Sequence, residues 1–155
     1  VVKEHKLKLV EDAGQAFAAS YKGTATGLFG SAGAYSFDFF KIATAGEGGV
    51  LVTNDEATYK LADSYCDHGH DHIGNNRGME NHPIIGFNYR ISELHAAVGA
   101  AQTRKVPAIR EANLKNKAFL QKELSKIEGI SFSKLGDDNG DSGTFLNIFA
   151  LSMLA

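Results

Sequence analysis

The stretch Ser36-Phe-Asp-Phe-Phe-Lys-Ile-Ala-Thr-Ala-Gly-Glu-Gly-Gly49 carries the strongest chemical signal in this chain. Aromatic residues lead to Lys41, and a turn of small residues and glycines follows it. A lysine beside an apolar pocket has a lowered pKa, so its neutral amine can attack a carbonyl carbon. The Ser36 hydroxyl, five residues earlier, is suited to hold a phosphate. Taken alone, Lys41 is more simply a solvated lysine at a strand end. Other residues of the sequence are needed to distinguish a reactive lysine from a solvated one.

Strand-like and helix-like patterns alternate along the chain, which is typical of an α/β fold with a mostly parallel or mixed sheet. Apolar runs predict strands at residues 5–10, 34–40, 50–53 and 130–132. Helices are predicted over 13–20, 56–67 and 93–128, the last with a kink or restart at Pro107 and a stop at Gly129. Asn54-Asp55 and Ser92 are the expected N-caps. The strand predicted at 50–53 is continuously apolar through Val52, so we expect it to be buried.

Asp12 stands at the carboxyl end of the first predicted strand, where α/β proteins place ligands. Alone, an Asp there is more simply a turn or helix-capping residue. Pyridoxal 5'-phosphate (PLP) requires a lysine for its aldehyde, donors for its phosphate and an acid for its pyridine nitrogen. Lys41, Ser36 and Asp12 together supply that set, so the sequence predicts a PLP site.

Three ordered segments carry a family resemblance. They are Glu11-Asp12-Ala13-Gly14-Gln15-Ala16, then Ser36-Phe37-x-x-x-Lys41 with Gly46-Glu-Gly-Gly49, then Gly86-Phe-Asn-Tyr-Arg90 with Ser92-Glu93-Leu94-x-Ala96-Ala97. They resemble the E-D-A-A-Q-A-H, S-F-x-x-x-K … G-E-G-G and G-x-N-Y-R-x-x-E-x-x-A-A motifs of the DegT/DnrJ/EryC1/StrS sugar aminotransferases. Phe17 replaces the usual histidine of the first motif, which predicts a change on the substrate side of the pocket.

The resemblance implies the three-layer PLP-transferase fold (fold type I, aspartate aminotransferase-like), present in part. Residues 1–105 would form part of the PLP-binding large domain, and 106–155 a linking helix and the start of a small C-terminal domain. Val1 is not an initiator methionine and residues 144–155 stop inside an apolar stretch, so we expect a piece of a longer chain. The family's N-terminal part would add phosphate donors and an aromatic residue that stacks on the cofactor.

The resemblance also implies cofactor-binding roles. Lys41 would bond to the PLP aldehyde and carry the proton between substrate and cofactor. Asp12 would pair with the pyridine nitrogen, and Gln15 would contact the ring on its 3'-oxygen side. Ser36 would donate to the phosphate. Asn88 would reach the phosphate from the neighbouring subunit, which makes a homodimer the implied active unit.

The implied reaction is a transamination, since relatives that dehydrate sugars carry histidine in place of this lysine. In a ping-pong cycle an amino acid, expected to be L-glutamate, would leave its amine on the cofactor. The product form would then aminate a keto or aldehyde sugar for cell-surface polysaccharide synthesis. Arg90 would bind a substrate carboxylate or make a structural contact across the subunit interface. The alternative is an inactive, structural or dimerisation piece of the same fold.

The loop from Asp67 to His82 resembles the corresponding loop of family members that act on a 3,8-dideoxy-octulosonate in lipopolysaccharide synthesis. An acidic sugar would suit His70, His72 and Arg77. The loop also allows a metal-site alternative, because it is rich in side chains that can bind metals: Asp67, His68, His70, Asp71, His72 and His82. An H-x-H-x-H pattern is less specific than paired cysteines, so we predict a polar substrate or interface loop without a metal.

Composition narrows the classes of partner. Charged residues sum to −2 and the pI is near 6.3, which argues against nucleic-acid binding through a basic face. No apolar run is long enough to span a membrane, and no signal segment opens the sequence. The single cysteine, Cys66, cannot form an internal disulfide, which favours a reducing compartment. We therefore expect a cytoplasmic protein.

Overall fold

A three-stranded mixed sheet carries the first two motifs. The computed structural model describes residues 1–74 and 77–151. In chain order its elements are β1 (Val10–Asp12), β2 (Ser20–Tyr21), β3 (Thr24–Ala25), β4 (Ala32–Ser36), β5 (Gly49–Val52), α1 (Glu56–Cys66), a 3-10 turn (Arg77–Met79), α2 (Glu93–Leu124), β6 (Ile130–Phe132), a 3-10 turn (Asp138–Gly140) and β7 (Ile148–Ala150).

The sheet order is β1-β4-β5. β1 runs parallel to β4 with Asp12 opposite Ala34, and β5 runs antiparallel to β4 with Gly49 opposite Ser36. The predicted mixed sheet is confirmed. This register brings the start of the first motif, the start of the second and its glycine turn to neighbouring positions at one edge.

Glu11 holds the loop between β3 and β4. Its carboxylate accepts hydrogen bonds from the backbone N–H groups of Gly27 at 2.7 Å, Phe29 at 2.6 Å and Gly30 at 2.8 Å. Hydrogen bonds to a charged acceptor are stronger than neutral ones. A residue of the first motif therefore fixes the loop that precedes β4.

The helix predicted over residues 13–20 is wrong. Ala18 has a φ of 64°, outside the helical region, and the chain makes two successive turns there. The Thr26 hydroxyl donates to the carbonyls of Ala16 at 2.8 Å and Ala19 at 3.2 Å. A side chain from the following hairpin thus occupies carbonyls that a helix would have used.

The first strand is present, but its predicted bounds of 5–10 are wrong, since β1 begins only at Val10 and ends at Asp12. Turns precede it: the N–H of His5 donates to the Val1 carbonyl at 2.8 Å, and that of Leu7 to the Val2 carbonyl at 2.9 Å. Lys6, at a φ of 49°, breaks the extended conformation between them.

Both predicted N-caps are confirmed. The Asp55 carboxylate accepts from the Thr58 N–H at 2.8 Å and opens α1. The Ser92 hydroxyl accepts from the His95 N–H at 3.2 Å and opens α2.

Helix α2 contains 32 residues and is about 48 Å long. Of the predicted kink or restart at Pro107, the restart is wrong, because one continuous helix includes that proline. The helix ends at Leu124, earlier than predicted, with Ser125 as its C-cap. Gly129, with a φ of 83°, instead forms the turn into β6, which pairs antiparallel with β7.

The chain exposes more surface than a self-contained domain of its mass. Its accessible surface is 11249 Å², whereas a folded monomer of this size exposes about 7600 Å². Val50 and Leu51 of β5, predicted to be buried, are exposed, as are Phe39 and Phe40. Among the described residues, no large side chain is fully buried. Apolar faces of this extent mark surfaces that other protein covers.

None of the helices in residues 1–74 and 77–151 combines the length and the apolar character that crossing a bilayer requires.

Candidate active site

Asp12 and Ser36 lie at the carboxyl ends of the parallel strands β1 and β4. Gly14 lies between them, since a Cβ on it would be 3.1 Å from Asp12 Oδ1 and 3.7 Å from Ser36 Cβ. The Gly14 N–H donates to Asp12 Oδ1 at 3.1 Å and orients the carboxylate. Asp12 is exposed at this edge and is accessible to a ligand.

A turn connects Ser36 to Lys41. The Asp38 N–H donates to Ser36 Oγ at 3.2 Å, and the Lys41 N–H donates to the Asp38 carbonyl at 3.0 Å. This turn explains why the strand predicted over 34–40 ends at Ser36. The local fold places the hydroxyl and the amine on one short, hydrogen-bonded segment.

The glycines after Lys41 have a steric role. Gly48 has a φ of 132°, and a Cβ on it would lie 2.7 Å from the Ile91 side chain. Its carbonyl accepts from the Phe37 N–H at 2.8 Å. The glycine turn can therefore close back on the lysine segment only without a side chain at this position.

Lys41 is half-buried and lines a narrow cavity. Gln15 and Phe17 of the first motif line the same cavity, together with Thr144 from the C-terminal segment. Phe17 also packs edge-to-face on Tyr35, with ring centroids 5.0 Å apart. The residue that departs from the family motif thus forms part of the cavity wall and of an aromatic cluster.

The third motif forms a separate cluster at the C-terminal end of α1. The Arg90 guanidinium lies 3.2 Å from Asp67 Oδ1 and donates from Nε to Asn88 Oδ1 at 3.0 Å. The backbones of Asp67 and Asn88 form an isolated bridge. Because Arg90 takes the amide oxygen of Asn88, the amide nitrogen is the group that Asn88 can offer to an anion.

In the histidine loop, the segment from Asp67 to His82, several side chains contact one another. His70 Nδ1 lies 2.9 Å from Glu80 Oε2, and the two side chains are only 11% and 8% exposed. The His82 ring packs on His70 at a centroid distance of 4.1 Å. His72 Nε2 is 3.7 Å from Asp63 Oδ2 and more exposed. The predicted substrate residue Arg77 has its side chain outside the described part of the structure.

No group of three or more His, Cys, Asp or Glu side chains within residues 1–74 and 77–151 is arranged to hold a metal. The rings of His68 and His70 are 6.3 Å apart and nearly perpendicular. The described part of the loop therefore gives the metal alternative no support.

The sequence did not predict the observed contacts of four residues near these sites: Glu11, Asp67, Glu80 and Thr144. Glu11 is a residue of the first motif and Asp67 belongs to the histidine loop, so the sequence draws attention to both, although their partners lie elsewhere in the chain. Glu80 and Thr144 stand in stretches without such a signal, and only tertiary structure brings them to His70 and Lys41.

The chain belongs to the DegT/DnrJ/EryC1/StrS aminotransferase family, which matches residues 1–152. GDP-perosamine synthase from Caulobacter vibrioides is 34% identical over 135 residues, which cover 82% of this chain and 33% of that protein. The chain thus spans about a third of the length of the curated relatives it matches.

Solved structures show the same fold. Helicobacter pylori PseC, an aminotransferase in the biosynthesis of pseudoaminic acid, aligns with a TM-score of 0.86 at 24% identity, over 97% of this chain and 40% of that one. The E. coli GDP-4-keto-6-deoxy-D-mannose-3-dehydratase with bound hydrated PLP aligns with a TM-score of 0.84 at 19% identity, over 99% and 42%. The expected fold type I architecture, present in part, is confirmed.

PLP is the cofactor of this family. The residues of this chain fit it. The sheet edge combines an accessible carboxylate on Asp12, a hydroxyl on Ser36 and a half-buried amine on Lys41. Gly14 keeps the space beside Asp12 and Ser36 free of a side chain.

Proposed function

We propose that this chain is the lysine-bearing part of a PLP-dependent aminotransferase that acts on a keto or aldehyde sugar. One observation carries the proposal. Lys41 and Gln15 line one cavity, and Gln15 follows the turn that orders Asp12 beside Ser36. The retained lysine, hydroxyl and acid argue against a piece that serves only as a structural or dimerisation element.

Each residue at the sheet edge would have its own role toward the cofactor or the substrate. PLP, when bound, supplies an aldehyde that takes up amino groups and a ring that withdraws electrons. Asp12 would hold a proton on the pyridine nitrogen, and Ser36 would donate its hydroxyl hydrogen to the phosphate. Gln15 would orient the ring. The Lys41 amine would carry a proton between the reacting substrate carbon and the cofactor, in a cavity that limits water.

Asn88 is proposed to act on the neighbouring subunit's cofactor in a homodimer. Phe87, Tyr89 and Ile91, which surround it in sequence, are all exposed in this chain. Arg90 donates a hydrogen bond to the amide oxygen of Asn88 and so orients the amide group. An apolar border around an ordered polar group is the pattern expected where a second subunit covers the surface.

The proposed substrates are L-glutamate as donor and an acidic keto sugar, such as a 3,8-dideoxy-octulosonate, as acceptor. Arg90 and His72 are the more exposed candidates for its carboxylate, since His70 contacts Glu80. Arg77 is proposed from the sequence alone. Incubating the PLP-loaded enzyme with L-glutamate or L-glutamine, then with acidic or nucleotide-linked keto sugars, separates these choices by the product formed.

We further propose that residues 1–105 belong to the large domain and 106–155 to the linking helix and the start of the small domain. A cytoplasmic location and a role in cell-surface polysaccharide synthesis complete the proposal. The free thiol of Cys66 supports a reducing compartment.

Borohydride trapping tests the central assignment. The whole protein is incubated with PLP, reduced and digested, and the modified lysine is identified by mass spectrometry. We expect a stoichiometric pyridoxyl adduct at Lys41 that disappears in Lys41→Ala and persists in Lys22→Ala, a change at an exposed lysine. Scattered labelling that is unchanged in Lys41→Ala would contradict the PLP site.

A further inference from the structure

The segment of residues 137–144, which follows β6, reaches the cavity that Lys41 lines. Thr144 lies far along the chain from the lysine motif, yet it lines the same narrow cavity as Lys41 and Gln15. Its hydroxyl is 2.9 Å from the Ser142 hydroxyl, and Ser142 is buried. The Thr144 hydroxyl therefore has a hydrogen-bond partner inside its own segment.

An ion pair anchors this segment to helix α2. Lys117 Nζ lies 2.6 Å from Asp141 Oδ2, and the two side chains are only 11% and 13% exposed. The other carboxylate oxygen of Asp141 accepts from the Gly143 N–H at 2.9 Å. One carboxylate thus connects the helix to the backbone that leads into Thr144.

Two further contacts limit where the segment can lie. Arg110 of α2 donates from Nε to the Asp141 carbonyl at 2.8 Å and from Nη2 to the Asn139 carbonyl at 2.8 Å. Gly143 has a φ of 73°, and a Cβ on it would lie 2.9 Å from the Leu114 backbone nitrogen. A side chain at position 143 would push the segment away from the helix.

The same segment also contacts β2 and the turn that follows it. Asp137 Oδ2 accepts from the Lys22 N–H at 2.7 Å. A Cβ on Gly140 would lie 1.8 Å from the Ser20 carbonyl oxygen, so backbone meets backbone there. Residues 137–144 are held from α2 on one side and from β2 on the other.

We propose that Thr144 is a substrate-side residue of the Lys41 cleft, and that the Lys117–Asp141 pair is the positioning element that holds it there. The inference rests on the proposed function of Lys41. The Thr144 hydroxyl, fixed by Ser142, hydrogen-bonds a hydroxyl or carbonyl oxygen of the sugar beside the Lys41 amine. Lys117 and Asp141 act only through the position of this turn.

The first test compares Thr144→Val, which keeps the shape, with Thr144→Ser, which keeps the hydroxyl, in the whole enzyme. Loss of one substrate hydrogen bond raises KM for the sugar about tenfold. We expect this rise in Thr144→Val with KM for the amino donor and PLP labelling of Lys41 unchanged, and recovery in Thr144→Ser. An unchanged sugar KM in Thr144→Val, or an equal rise in Thr144→Ser, would overturn the assignment.

The second test needs no cofactor. In the PLP-free protein, acetic anhydride is used to modify lysines, and the rate at Lys41 is read by mass spectrometry. Lys117→Met should make Lys41 several times more reactive, because the segment covering it loosens, whereas Lys117→Arg should restore protection. Lys115→Met is the matched control, since Lys115 lies on the same helix, is 74% exposed and pairs with Glu111.

The two tests separate the inference from the proposed function. Equal Lys41 reactivity in Lys117→Met and Lys115→Met would refute the positioning role, even if PLP labels Lys41 fully. A protected Lys41 that PLP does not label would instead refute the proposed function and leave the contact between the segment and the cavity standing.

Discussion

Two regions differ in how their polar groups are hydrogen-bonded. One is the sheet edge with Asp12, Ser36 and Lys41, and the other is the cluster of Asp67, Asn88 and Arg90. At the edge, carboxylates and hydroxyls accept from nearby backbone N–H groups, as in Asp12 with Gly14 and Ser36 with Asp38. Glu11, in the same strand as Asp12, holds the loop before β4 in the same way. In the cluster, Arg90 and Asp67 satisfy each other, and exposed aromatic residues surround them. The first region is ordered by this chain alone, whereas the second has an ordered polar centre and an uncovered apolar border.

The largest expected effect tests whether the second region is completed by another subunit. Lys41→Ala and Asn88→Asp should each inactivate the enzyme, the first by removing the amine and the second by placing a negative charge beside the phosphate. Mixed and refolded together, they should recover about a quarter of wild-type activity, because half of the dimers are mixed and each holds one intact site.

Refolding each variant alone is the control for that experiment. If Asn88 serves the site of its own chain, no mixed dimer contains an intact site and the mixture stays inactive. Equal inactivity before and after mixing, with mixed dimers verified by mass, would remove the difference between the two regions.

The next-largest effect tests whether hydrogen bonds within this chain are what orders the first region. Glu11→Gln removes the charge that three backbone N–H groups share and should lower the free energy of unfolding by about 2 kcal/mol. Denaturant unfolding of the whole protein measures the change, and Glu4→Gln, at an exposed carboxylate, is the matched control. Equal losses in the two variants would show that Glu11 does not order the loop.

The smallest effect concerns the surface of the histidine loop. The hydrogen bond from the Ile73 N–H lowers the pKa of Asp71 below its ordinary value of 3.8, with a further contribution from Asn81. A lowered pKa means that the ionised carboxylate stabilises the folded loop above the unfolded pKa, and that this contribution disappears as pH falls through the folded pKa.

An NMR titration of the Asp71 carboxyl carbon checks this. The inflection should lie below 3.8 and move only slightly upward in Asn81→Ala, because the Ile73 bond is the larger cause. An inflection at or above 3.8 would show that the loop is not held in this conformation.

Features that depend on residues close together in the sequence could be predicted, whereas features that depend on distant contacts could not. The lysine segment, its glycine turn and the N-caps at Asp55 and Ser92 depend on residues within a few positions, so pattern was enough. Ala18 and Thr26 show the opposite case, since a hydroxyl from a later hairpin overrides the helix preference of an alanine-rich stretch.

The candidate site divides in the same way. Asp12 was predictable from its place at the end of a strand, and Ser36 from its spacing to Lys41. That β4 ends at Ser36, which brings both residues to one edge, follows from the turn after it. The place of Thr144 beside Lys41 depends on an ion pair to α2 and a glycine with positive φ, and neither has a local pattern. The exposure of β5 was not predictable either, because burial depends on protein beyond the strand itself.

The two outer strands of the mixed sheet have a practical consequence. Within the described residues, β1 and β5 each pair on one side only, and Val10, Val50 and Leu51 are exposed along them. Edges of this kind accept any strand of suitable length, including one from another copy. If produced as a separate polypeptide, the chain would tend to precipitate through edge pairing while its helices were still intact. Loss of solubility would then be the earliest sign of missing neighbours, ahead of any loss of circular dichroism.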